Sequence, residues 1–154
     1  YIIFAVSISF ISWIVGIIGH ALIKNSEFYQ RISNLNFLTS PKWNKWIGID
    51  LFTWAVKNTF FKYFNQSIKL DNLSDAKDLA WLRDEMTKAE VGHLIGFAFV
   101  TIVAIYQSAA HSILLAFTIM VFNALLNLYP SLLQQYNKRR LDRLVRVSRR
   151  RNKS

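Results

Sequence analysis

The first 23 residues, YIIFAVSISFISWIVGIIGHALI, hold no charged side chain. A helix needs about 20 apolar residues to cross a bilayer, so this run predicts a first span over 1–23. It lacks the small-residue cleavage site of a signal peptide, which makes a retained helix the expectation. The chain starts on apolar residues without an initiator Met, and a few residues are expected to precede Tyr1. A second charge-free stretch runs from Val91 to Asn137 and is too long for one span. Gln107, Ser108, His111 and Ser112 interrupt it and predict a tight polar hairpin between spans at 91–106 and 113–130. Pro130 is expected to end the third span.

Between the first and second spans the pattern changes. Thr39-Ser40-Pro41-Lys42-Trp43 reads as a helix start, with Ser40 as cap and Pro41 at the first helical position. The following WNKWIGIDLFTWAVKNTFFKYF (43–64) is too polar for a span and too aromatic for a solvated helix. It predicts a helix in the headgroup region, with Trp43, Trp46 and Trp54 at the depth that suits indoles. Ser74, followed by Asp75 and Asp78, starts another helix that runs on without proline into the second span. At 1.5 Å per residue that helix is roughly 50 Å long.

Charge then sets the topology. Lys plus Arg number 19 against 9 Asp plus Glu, for a net charge of +10. Ten of these basic residues lie from Lys24 to Lys88, nine lie from Lys138 onward, and the hairpin has none. Cytoplasmic loops carry the Lys/Arg excess. Three spans put both clusters on one side, with the N-terminus and hairpin outside, whereas two spans would separate them. The expected fold is all-α: one integral membrane domain over 1–154, with spans 1–23, 91–106 and 113–130. A cytoplasmic and interfacial segment covers 24–90, and a basic cytoplasmic tail covers 131–154. In that tail Leu141, Leu144, Val145 and Ser148 share one face and arginines cover the rest, a pattern that binds anionic lipid. Its position beside a span argues against nucleic acid. The absence of cysteine excludes disulfides, thiolate metal sites and cysteine nucleophiles.

Glu90 and His93 are the first candidates for chemistry. They are three apart on one helix face, at the edge of the apolar zone, where an ionisable group is costly. A carboxylate that orients an imidazole is an arrangement for taking a proton from a hydroxyl. A structural pair is the competing reading. A metal site among His20, Glu90 and His93 lacks any supporting motif, and none is expected. Asn123 and Asn127, four apart on the third span, suit either helix-to-helix hydrogen bonds or a polar substrate pocket. Gln134, Tyr136, Asn137 and Arg139, just past Pro130, suit a sugar or phosphate headgroup.

The motifs Lys42-Trp43-Asn44-Lys45-Trp46, Lys88-Ala89-Glu90-Val91-Gly92-His93, Asn127 with Pro130, and Gln134-Gln135-Tyr136-Asn137-Lys138-Arg139-Arg140-Leu141 occur in that order. Together, over about residues 25–145, they resemble the glycosyl-4,4'-diaponeurosporenoate acyltransferase family. Gln135 departs from the Gln-Arg-Tyr-Asn pattern of that family. The resemblance implies a protein of the bacterial cytoplasmic (inner) membrane, acting in staphyloxanthin-type carotenoid biosynthesis. It implies esterification of a sugar hydroxyl of a glycosylated carotenoid or related glycolipid with a fatty acyl group. Glu90 and His93 would then be catalytic. Asn123, Asn127, Gln134, Tyr136, Asn137 and Arg139 would bind substrate. Without a Ser or Cys nucleophile motif, direct transfer is expected. The donor would be a thioester, acyl-CoA or acyl carrier protein, with no tightly bound cofactor. The alternative is a small accessory subunit packed against a larger membrane protein complex.

Overall fold

The computed structural model describes residues 1–35, 37, 45–58 and 76–151, the side chains of 57, 76–78, 144 and 147–151 excepted. The described residues are helical, with no strand among them. Among the described residues these α-helices follow in order: α1 (Ile2–Ile23), α2 (Glu27–Ile32), α3 (Ile49–Asn58), α4 (Ala76–Ala110), α5 (Ile113–Asn123) and α6 (Tyr129–Arg151). A π-helical segment, Ala124–Leu128, joins α5 to α6. Among the described residues three stretches are long and apolar enough to cross a membrane: Ile2–Ile23, Leu79–Ala110 and Ile113–Arg143. The expected helix starts at Ser40 and Ser74 lie outside the described residues.

By contacts the chain forms two compact units, Tyr1–Leu35 with Thr87–Ser131, and Asn36–Met86 with Leu132–Ser154. The first unit contains α1, α5 and most of α4. Its helices are built inside out relative to a soluble bundle. On α1 the buried positions are Ala5, Ser9, Ser12 and Gly16. The large side chains Ile3, Ile14, Ile17 and Leu22 face outward, Ile3 and Leu22 at 80% exposure or more. Lipid tails are as apolar as leucine, so burying large side chains gains little there. Small residues instead let backbones approach, and packing and hydrogen bonds hold the helices. Gly16 shows how close that approach is. A Cβ there would collide with the carbonyl oxygen of Gly92 on α4 and lie 2.9 Å from its carbonyl carbon. Ala5, Val100, Ala104 and Ile119 close the core toward the hairpin.

The hairpin is tighter than its polar residues suggested. Gln107 and Ser108 stay inside α4, and only His111 and Ser112 break the helix. The amides of both donate to the carbonyl of Gln107 at 3.0 Å, ending α4 in one turn.

The helix does not end at Pro130: α6 continues through it to Arg151. The π-helical segment just before it explains why. In an α-helix Pro130 would crowd the carbonyl of Leu126, four residues back, and leave it without a donor. The wider turn relieves such crowding, and here Tyr129 N–H reaches back five residues to Ala124. The carbonyl of Leu126 is met from another helix, by the indole Nε1 of Trp13 at 3.3 Å.

In the second unit α3 buries Ile49 and Val56 and leaves Leu51 and Trp54 exposed, at 70% and 61%, while Trp46, ahead of the helix, is 83% exposed. Gly48, before the helix, has φ +73°, a turn that glycine adopts without strain. The ten described residues of α3 cover about 15 Å. The rest of the 43–64 segment, apart from 45–48, lies outside the described residues. On α6, Leu132, Leu133 and Leu141 are buried, while Arg140, Arg143 and Arg146 are exposed. Arg83 Nε donates to Asp142 Oδ1 at 3.0 Å, an ion pair with both side chains more than a third exposed.

Candidate functional site

The hairpin geometry brings the polar residues of the first unit together. His93 lies 18 residues before His111 and Asn127 lies 16 after it, so antiparallel helices place them at one depth. By the same count Asn123 comes opposite Phe97 and Thr101. Asn123 Nδ2 donates to the Phe97 carbonyl at 3.1 Å and to Thr101 Oγ1 at 3.2 Å. Asn127 Nδ2 donates to Asn123 Oδ1 at 3.0 Å and to Ser12 Oγ on α1 at 2.9 Å. Ser12 Oγ donates in turn to the Ser9 carbonyl at 2.6 Å. At the free end of this chain, His93 Nδ1 stands 3.5 Å from Asn127 Oδ1. Three helices thus share one polar chain, and Ser9, Ser12, Asn123 and Asn127 are fully buried in it.

Two other features hold the imidazole. The ring of Trp13 meets that of His93 edge-on, with centroids 6.2 Å apart and planes at 88°. Gly96, one turn along α4, leaves room for the chain. A Cβ there would come within 3.0 Å of Asn127 Oδ1 and 3.2 Å of Ser12 Oγ.

The sequence-derived candidates therefore divide. His93, Asn123 and Asn127 meet in the first unit. Glu90, one turn before His93, is fully buried, but the group on His93 Nδ1 is the Asn127 amide, the place expected for Glu90. Gln134, Tyr136, Asn137 and Arg139 are half-buried on α6 in the second unit. There Gln135 is buried, and its Oε1 accepts from the amide of Phe37 at 3.0 Å. His20 pairs with Tyr29, its Nε2 3.3 Å from the phenol oxygen. No three His, Asp or Glu side chains among the described residues are grouped to hold a metal.

Ser12, Trp13, Gly96 and Thr101 are the site residues that the sequence reading missed. A signal existed: Ala5, Ser9, Ser12, Gly16 and Gly19 recur at spacings of three and four on α1, and Gly92 and Gly96 form a GxxxG pair on α4. Such stripes mark helix contacts in membranes.

Apolar helices of spanning length, closed on small residues and crosslinked by buried amides beside an imidazole, define an integral membrane protein with a polar chain inside its apolar helices. The chain belongs to the glycosyl-4,4'-diaponeurosporenoate acyltransferase family, whose model matches residues 25–147. The family is one of acyltransferases in carotenoid biosynthesis. The match takes in His93, Asn123 and Asn127, while Ser12 and Trp13 on α1 precede it. No curated protein and no solved structure is significantly similar to the chain.

Proposed function

We propose that this protein esterifies a sugar hydroxyl of a glycosylated carotenoid or related glycolipid with a fatty acyl group, at the cytoplasmic face of the bacterial inner membrane. The family match supports the acyl transfer. The observation that carries the site is the imidazole of His93, held at the end of a buried three-helix polar chain.

In this reading His93 takes the proton of the sugar hydroxyl as its oxygen attacks the thioester carbonyl of acyl-CoA or acyl carrier protein. The C–S bond then breaks, the thiolate leaves and regains a proton, and ester and thiol are released. A positioned base of this kind contributes about 10²–10⁴-fold. Glu90 supports the charge that develops on His93. Asn123 and Asn127 act through His93, because their polar atoms are engaged by protein. In the second unit Gln134, Tyr136, Asn137 and Arg139 bind substrate, and the basic face of α6 rests on anionic lipid. The charge distribution favours an outside N-terminus and a cytoplasmic C-terminus.

The test is acyl transfer in membranes supplied with glycosylated carotenoid and acyl thioester, read by lipid mass spectrometry. His93→Ala is expected to lose 10²–10⁴-fold in rate, Glu90→Gln less, and His111→Ala, in the hairpin, none. Transfer by His93→Ala at the wild-type rate refutes the assignment. Wild-type membranes that form no ester refute the enzyme reading and favour an accessory subunit.

A further inference from the structure

The polar chain has a direction, and that direction reaches His93. The Phe97 carbonyl can only accept, so the Asn123 amide must turn its NH₂ toward it. Asn123 Oδ1 is then the oxygen that receives Asn127 Nδ2. The other end agrees independently. The Ser12 hydroxyl proton is committed to the Ser9 carbonyl at 2.6 Å, so Ser12 Oγ accepts from Asn127. Both ends put the NH₂ of Asn127 on the Ser12 and Asn123 side and its oxygen toward the imidazole. An amide oxygen has no proton to give. His93 Nδ1 must be the donor in the 3.5 Å contact.

We infer that Asn123 and Asn127 are positioning residues that hold neutral His93 with its proton on Nδ1 and its lone pair on Nε2. A ring nitrogen that faces an obligate acceptor carries the proton, and the other nitrogen of the neutral ring keeps the lone pair. Free imidazole side chains favour the opposite form, with the proton on Nε2. The amide chain reverses that preference without placing a charge next to the ring. It also fixes which nitrogen can act as base, and to that extent the inference deepens the proposed function and rests on it. The tautomer itself follows from the hydrogen bonds alone.

The experiment is ¹⁵N NMR of full-length protein labelled at histidine, in lipid nanodiscs, at a pH where the ring is neutral. The His93 signals are assigned by difference from His93→Gln. In two-bond proton–nitrogen spectra the unprotonated nitrogen correlates with both Hδ2 and Hε1 if it is Nε2, and mainly with Hε1 if it is Nδ1. The expected wild-type result is an unprotonated Nε2. In Asn127→Leu the population is expected to move toward the form protonated on Nε2. A wild-type ring protonated on Nε2 overturns the inference, and so does a folded Asn127→Leu protein that keeps the wild-type pattern. Where the leucine variant does not fold, the wild-type spectrum decides by itself. The spectrum is blind to acyl transfer. A protein with the expected tautomer but no transferase activity sinks the proposed function alone, and an active protein with the other tautomer sinks this inference alone.

Discussion

Gly16→Ala adds one methyl group where α1 and α4 touch backbone to backbone. The new Cβ would collide with the carbonyl oxygen of Gly92 and lie 2.9 Å from its carbonyl carbon, whereas ordinary contact starts near 3.4 Å. A backbone carbonyl cannot rotate away, so α1 must withdraw by at least about 0.5 Å, the difference between those two distances. Overpacking of this kind costs about 1–3 kcal/mol. Withdrawal also stretches the bonds that α1 makes to the third span, Asn127 to Ser12 at 2.9 Å and Trp13 to Leu126 at 3.3 Å. Each is worth about 0.6 kcal/mol, so the total loss is about 2–4 kcal/mol. The matching change on the other helix behaves differently. A Cβ on Gly92 meets Gly16 no closer than 3.8 Å, so Gly92→Ala is expected to cost less than about 0.5 kcal/mol, like substitutions away from special features. Unfolding by sodium dodecyl sulfate titration from mixed micelles, followed by tryptophan fluorescence, measures both. A pure GxxxG argument would make Gly92 at least as sensitive as Gly16. Equal stability of the two variants, or a more damaging Gly92→Ala, would refute the packing described here.

Trp13→Phe removes the indole donor to Leu126 and is expected to cost about 0.6 kcal/mol; Pro130→Ala restores a backbone N–H, and a double-mutant cycle in the same titration should give nonzero coupling. Asn127→Leu breaks three contacts, to Ser12, Asn123 and His93, and is expected to lower stability by about 2 kcal/mol at about 0.6 each. The Arg83–Asp142 pair is part-exposed, so Asp142→Asn should change stability by at most about 1 kcal/mol, and less in high salt. A Cys introduced at Ala109, beside the hairpin, is expected to react with an impermeant maleimide added outside intact cells; labelling only after permeabilisation would reverse the topology.

What the sequence determined by itself is the list of spans. Whether a stretch enters lipid depends on a sum over its own residues, and the charge-free runs 1–23 and 91–137 carry that sum openly. The uninterrupted helix through Glu90 and His93 was legible for the same reason, since Ala76–Ala110 contains no proline. Pro130 was misread because its effect depends on a neighbour. The wider turn over Ala124–Leu128 and the indole of Trp13, 117 positions away in sequence, let the helix continue past it. The site was half legible. Composition marks His93, Asn123 and Asn127 as costly in an apolar helix, but not what satisfies them. Their partners depend on helix rotation and on an approach set by single methyl groups at Gly16 and Gly96. An amide gives no sign in sequence of which end will face an imidazole. Only the packed structure, where the Ser12 hydroxyl and Asn123 Oδ1 both accept from the Asn127 NH₂, turns Asn127 so that its oxygen faces His93.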